Sequence, residues 1–188
     1  MALNYSSDTK EEIINGIIYN MSPLADVRHS TVINRLNVRI AMHLLSSTCD
    51  VHADNVYLYV DENNRVIPDL MIVCDRSKYK NNGYHGVPKF IVEVLSNRYI
   101  KNDRVEKMAL YSKIGVQEYW IVDYKAKRIE VYWLSGSSYT LQETYTLELD
   151  KDAEDYNEDI SVKLLTFPLI EIKLREIFDF NWSIKIED

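Results

Sequence analysis

The apolar residues of the chain fall into two kinds of run. Phe90, Ile91, Val92, Val94 and Leu95 form a nearly unbroken, mostly β-branched stretch, the pattern of a strand covered on both faces. EYWIVD and RIEVYWL repeat that pattern around the short turn Tyr124–Lys127, and SYTLQETYTLEL predicts one more strand. Earlier, NVYLYV and RVIPDLMIVC flank the turn-forming Asp61-Glu62-Asn63-Asn64, a hairpin signal, with Pro68 marking an edge or irregular start in the second run. Helical spacing appears elsewhere. Ile33, Leu36, Ile40, Ala41 and Leu44 predict a helix from Ser30 to about Ser46, capped by Ser30 or Thr31, and DRVEKMALYSKI predicts one over 103–114 that stops at Gly115.

The remaining segments are punctuation. Residues 10–16 read as a short amphipathic start that Gly16 breaks before the strand-like IIYNM. MSPLADVRHS and the stretch Arg76–Pro88 read as loops, DKDAEDYNED as an exposed acidic loop, and SVKLLTFPLIEIKLREIF as a strand and short helix. A helix followed by several strands around one central helix predicts an α/β or α+β fold in one domain.

Glu93 interrupts its apolar strand, where an isolated carboxylate would cost several kcal/mol or stay protonated. Asp69, after Pro68, opens LMIVC. If those two strands pair, both carboxylates come to one end or face of a sheet and repel each other unless a cation lies between them. A hard ion such as Mg²⁺ or Mn²⁺ takes such oxygen ligands, and the Val94 backbone carbonyl could be a third. The bland alternatives are a turn role for Asp69 and, for Glu93, exposure or pairing with a Lys or Arg. On the following helix Asp103, Lys107 and Tyr111 share a polar stripe, while Val105, Met108, Ala109 and Ser112 form the stripe expected to pack on the sheet. Lys107 could then reach over the sheet edge to orient a water or hold a phosphate, the alternative being a surface pair with Asp103. Tyr111 could orient Lys107, contact a nucleic-acid backbone, or pack.

The net charge of −7 over 188 residues argues against a uniformly basic nucleic-acid binder, but the charge is unevenly spread. Arg76 to Arg128 holds twelve Lys/Arg against five Asp/Glu, and Glu143 to Asp188 holds five against thirteen. A local basic face on an acidic protein follows, and within it Arg98, Lys101 and Arg104 could grip phosphates or simply be solvated charge. No apolar run approaches the roughly 20 residues that span a bilayer, and the first residues lack the pattern of a signal peptide, so the expected location is the cytoplasm. Cys49 and Cys74 have no metal-site spacing and are expected to be buried or half-buried thiols. No nucleophile elbow, Walker loop or GxGxxG occurs, which speaks against serine hydrolysis and nucleotide cofactors.

Four segments in order, EEIINGIIYNMSP…RHS, VIPDLMIV, VPKFIVEVLS and NDRVEKMALYSKIGVQEYWIVD, resemble the Uma-type restriction endonucleases, a branch of the PD-(D/E)XK nuclease fold. The resemblance runs from about Glu11 to Leu134 and continues through FPLIEIKLREIF. It implies one nuclease-like domain over residues 1–188, with a core at about 11–134, an extension at 135–188, and a central mixed sheet flanked by helices. It further implies metal-dependent hydrolysis of nucleic acid, DNA before RNA, with Mg²⁺ or Mn²⁺. Cutting both strands would need two sites, which a homodimer would supply. Asp69 would be the first carboxylate and Glu93 the second. The usual nuclease lysine position, two residues after that glutamate, holds Leu95, and Lys107 on the next helix takes the role. Glu12 matches an N-terminal glutamate of the family and His29 a histidine after the MSP loop. An acid that often follows the glycine is replaced by Ile17, which keeps a second reading in play: a nuclease-fold module without catalysis that binds nucleic acid or oligomerises.

Overall fold

The computed structural model describes residues 10–21, 26–96, 102–148, 150–154 and 156–180. The chain opens as a hairpin, β1 (Glu11–Ile14) and β2 (Ile17–Asn20), where the sequence suggested only an amphipathic start. Asn15 and Gly16 both have positive φ (53° and 76°), the two-residue turn whose twist suits paired strands and which Asn-Gly favours. Helix α1 (Val27–Leu44) begins three residues earlier than expected, because Asp26 rather than Ser30 caps it by accepting the Arg28 amide at 2.8 Å.

Next come β3 (Asp50–Ala53), β4 (Leu58–Asp61), β5 (Asn64–Val66) and β6 (Leu70–Val73). The expected hairpin forms between β4 and β5, and Pro68 then marks where the chain leaves one sheet for another. The predicted loop at 76–88 carries a 3₁₀ turn, Arg76–Lys78, and a small hairpin of β7 (Tyr79–Lys80) and β8 (Gly83–Tyr84). β9 (Phe90–Val94) follows, then a π-helical turn Asn102–Lys107 that runs into α2 (Met108–Ile114). Gly115, at φ 87°, ends that helix in the left-handed region where a side chain would be strained. β10 (Glu118–Asp123), β11 (Arg128–Ser135), β12 (Ser138–Thr146), β13 (Ser161–Lys163), β14 (Glu171–Lys173) and α3 (Leu174–Phe178) complete the order.

Two six-stranded mixed sheets result, ordered β2-β1-β5-β4-β8-β7 and β12-β11-β10-β9-β6-β3, with β13 and β14 as a separate pair. The central strands β6, β9 and β10 of the second sheet are covered on both faces, which explains their unbroken apolar runs. Alternate residues divide cleanly. Leu70, Ile72, Phe90, Val92, Trp120 and Val122 pack with α1, α3 and the C-terminal pair. Met71, Val73, Ile91, Tyr119 and Ile121 pack with α2 and the inner face of the first sheet. Among the described residues, no helix is long and apolar enough to cross a membrane.

Cys49 and Cys74 are a disulfide, not the thiols expected from the sequence. The physical reason is the pairing of β3 with β6: the cysteines sit just outside the Asp50–Val73 pair, which brings their Cα atoms to 4.0 Å.

Candidate active site

β6 and β9 are antiparallel neighbours with Leu70 opposite Val92, so Asp69 and Glu93 come to adjacent positions on one face. The Val94 amide donates to Asp69 Oδ2 at 2.7 Å, which ties the end of one strand to the carboxylate of the other. Glu93 is 2% exposed and faces α2. There the Lys107 ammonium lies 3.1 Å from Glu93 Oε2 and 3.0 Å from Glu12 Oε1. Glu12 points inward from β1 and also accepts the Ile67 amide at 2.8 Å. Tyr111, one helical turn past Lys107, donates its hydroxyl to Glu93 Oε1 at 2.6 Å. Burial first, and the Glu93 charge next, push that phenol well above its usual pKa of 10, so Tyr111 is a donor at any working pH.

His29, near the start of α1, closes the other side. Its Nε2 is 2.9 Å from the Val94 carbonyl and 3.5 Å from Asp69 Oδ2. A carbonyl only accepts, so Nε2 carries the hydrogen in that contact. The Arg28 guanidinium holds the neighbouring Asp26 carboxyl down to about 2, which keeps the helix cap ionised.

The structure therefore brings Glu12, His29, Asp69, Glu93, Lys107 and Tyr111 together. Arg98 and Lys101 lie outside the described residues. Arg104 is described, and it is bound to a carboxylate: its guanidinium makes a two-pronged contact with Glu130 at 2.7 and 2.9 Å. Ile17 is 57% exposed at the turn end of its hairpin, opposite Ile14, while Glu12 pairs with Tyr19. An acid at position 17 would stand at the turn, away from Glu12.

One expectation about the helix is reversed. The polar stripe holding Lys107 and Tyr111 is the buried one, with Leu110, while Val105 is 52% exposed and Ala109 is exposed. Of the apolar stripe only part packs, Met108 half-buried against the core, because the sheet offers carboxylates at this point. Glu12 and Glu93 compensate the ammonium, which makes burial of a lysine affordable.

Glu130 is the residue that sequence reasoning missed. Glu93, Ile121 and Glu130 occupy one row across β9, β10 and β11, so all three face the same helix. Lys107 meets Glu93 and Arg104 meets Glu130, so two ion pairs straddle Ile121 and seat the π-helical turn. Tyr132 adds a hydroxyl to Glu130 at 2.8 Å. The alternation in RIEVYWL, which sets Glu130 opposite in phase to Ile129 and Val131, was the available signal.

Chemically, Lys107 meets two carboxylates, Glu12 and Glu93, while Asp69 stands next to Glu93 on the neighbouring strand, and such excess negative charge favours a cation. Among these residues, no group of three or more His, Cys, Asp or Glu side chains is arranged to hold a metal. Asp69, Glu93 and the Val94 carbonyl are hard oxygen donors, few enough to suit an ion that keeps most of its waters, as Mg²⁺ does.

Comparison with known proteins matches this architecture. A solved structure described as "a putative nuclease belonging to DUF820", from Anabaena variabilis, superposes with a TM-score of 0.69 at 16% identity, covering 92% of each chain, and so shares the fold. The "Uncharacterized protein slr1290" of Synechocystis sp. is 30% identical over 125 residues, 65% of this chain and 65% of its own length, just under two thirds. The profile of the Uma2 family, described as "Putative restriction endonuclease", matches residues 2–164. With a restriction endonuclease-like α+β fold and a family match over most of its length, this chain belongs to the Uma2 family.

Proposed function

We propose that the protein is a divalent-metal-dependent endonuclease that hydrolyses phosphodiester bonds, with DNA as its favoured substrate. The observation that carries this reading is the convergence of Asp69, Glu93 and Lys107 on one face of the sheet. Asp69, Glu93 and the Val94 carbonyl would hold Mg²⁺ or Mn²⁺. A bound ion of this kind lowers the pKa of a coordinated water and neutralises charge on the phosphate.

The chain's own groups do the positioning. Lys107, anchored by Glu12, directs an ammonium toward the attacking water or the phosphate oxygens. Tyr111 fixes one Glu93 oxygen while Lys107 meets the other. His29 holds the Val94 carbonyl and borders Asp69. Arg98 and Lys101 would contact phosphates on the approach to the helix, and a cut through both strands of a duplex would take two copies of the chain.

The test is cleavage of mixed DNA and RNA substrates with Mg²⁺, Mn²⁺ or a chelator. Asp69→Ala and Glu93→Gln should lower the rate on the order of 10²–10³-fold. Mn²⁺ should raise the melting temperature of the wild type and leave that of Glu93→Gln unchanged. Equal cleavage by wild type and Asp69→Ala would sink the proposal. Binding of nucleic acid without any turnover would replace it with a non-catalytic module.

A further inference from the structure

The cations of this acidic protein divide by whether a carboxylate neutralises them. Most described ones do have such a partner, from Lys10 with Asp54 to Arg175 with Glu158. Of the described cations without a salt bridge, Arg35, Lys113, Lys125, Lys127 and Lys151 lie elsewhere along the chain, while Lys78, Lys80 and Lys89 are all exposed and fall within twelve positions. They are grouped. Lys78 ends the 3₁₀ turn, Lys80 lies in β7, and Lys89 precedes β9. Lys78 and Lys89 line an open cleft of about 520 Å³ together with Tyr59, His85 and Asp75.

The same cleft offers flat rings. Tyr59 and His85 are stacked, with centroids 4.5 Å apart and planes within 3°. Desolvation and the Lys80 charge hold His85 below its usual 6.5, so the ring is neutral near pH 7. Beside it on the outer face of the first sheet, the Arg65 guanidinium lies 4.7 Å from the Tyr57 ring and 5.8 Å from that of Tyr59. The acid in the wall, Asp75, is turned to the Ser77 amide and hydroxyl at 3.0 and 2.6 Å. Its Oδ1 is thereby satisfied within the loop, although its charge still sits near Lys78.

Position separates this cleft from the candidate active site. Asp69 precedes β6 and Asp75 follows it, so at ~3.3 Å per residue the two lie roughly 20 Å apart along the strand. Free phosphate needs cations alone. Half-buried rings beside exposed ammonium groups fit a strand that presents bases and phosphates together.

We propose that this cleft is a second nucleic-acid contact site: a base of a single strand packs against the Tyr59–His85 stack while flanking phosphates lie on Lys78, Lys80 and Lys89. The inference rests on the nuclease reading and assigns the cleft to the part of the substrate strand remote from the bond that is cut.

The experiment is fluorescence anisotropy of the full chain with a labelled oligothymidylate of about 12 nucleotides, within the site sizes of single-strand binders. A chelator is present so that nothing is cleaved. Replacing both Lys78 and Lys89 by Ser should weaken binding about tenfold and reduce the slope of log affinity against log salt by about 1.4. His85→Ala should weaken it about tenfold as well, and Tyr59→Phe should bind as the wild type does, since the stacking ring remains. The control replaces Lys151 and Lys163 by Ser, the same charge change in the C-terminal part of the chain, and should leave affinity unchanged. An unaltered affinity in the Lys78/Lys89 variant, or an equal loss in the control, would overturn the proposal. Cleavage by wild type that neither cleft variant impairs would remove the cleft and leave the nuclease reading standing. Cleft-dependent binding by a protein that never cleaves would do the reverse.

Discussion

Glu93 and Glu118 stand on neighbouring strands of one sheet, 2% and 0% exposed, and point to opposite faces. Glu118 is saturated by neutral donors. Its Oε1 accepts Trp120 Nε1 at 2.8 Å and the Leu165 amide at 3.0 Å, and its Oε2 accepts the Thr166 amide and hydroxyl, both at 2.7 Å. Glu93 instead shares the Lys107 ammonium with Glu12 and has Asp69 beside it. The first carboxylate fastens the C-terminal segment to the sheet, and its hydrogen-bonding capacity is spent. The second belongs to a cluster with negative charge to spare. Burial alone does not separate a fastening from a reactive group; the kind of partner does.

That contrast can be broken by mutation. Glu118→Ala strands the Thr166, Leu165 and Trp120 donors, so stability should fall by about 3 kcal/mol in urea unfolding, with cleavage per folded molecule unchanged. Glu93→Gln should show the opposite weighting, a large loss of cleavage with a smaller loss of stability, since Glu12 still neutralises Lys107. If Glu118→Ala abolished cleavage in folded protein, the distinction would be lost.

Glu130 is an intermediate case, since it fastens a helix that carries a proposed reactive group. Arg104→Ala or Glu130→Gln should lower cleavage by about tenfold while the metal-induced rise in melting temperature persists, because Lys107 would be misplaced and the carboxylates would not. Glu130→Asp with Arg104 intact should recover part of the rate. Loss of the metal response in these variants would place Glu130 in the binding set instead.

The smallest effect is one of sign. Burial raises the Glu118 pKa above its ordinary 4.5, so the folded state holds its proton more tightly than the unfolded chain. Its contribution is present below 4.5 and lost as pH rises through the folded value. Glu130 is depressed, chiefly by its hydrogen bond from Arg104, so its contribution is present above 4.5 and lost as pH falls through the folded value. Urea midpoints measured across this range should show that Glu118→Gln removes a decline on the alkaline side of 4.5. Glu130→Gln should remove one on the acid side. Matching profiles would show that these two glutamates do not titrate as their surroundings dictate.

Much of this architecture is legible along the chain. Alternating burial in β6, β9, β10 and β11 follows from period-two spacing, and Gly115 ends α2 because its conformation excludes most other residues. That Asp69, Glu93 and Lys107 belong to one cluster was readable because a carboxylate inside an apolar strand demands a partner. The Asn15-Gly16 hairpin has its own local signal, a turn pair flanked by isoleucines, although residues 10–16 read alone suggest only an amphipathic start.

Other features required contacts between distant segments. Arg104 finds Glu130 26 residues away, Glu118 finds its donors 47 and 48 residues away, and the two cysteines meet only because β3 pairs with β6. The reversed face of α2 has the same origin. Local spacing lays out two stripes on that helix, one polar and one apolar, but which of them is buried depends on whether the opposing surface can compensate an ammonium. Along the chain, residue order determined where strands alternate and helices stop, since those are effects of neighbours within a few positions. The pairing of every buried charge was decided in three dimensions, because the Coulomb and desolvation energies that govern it depend on distance in space and on which groups the fold brings within reach.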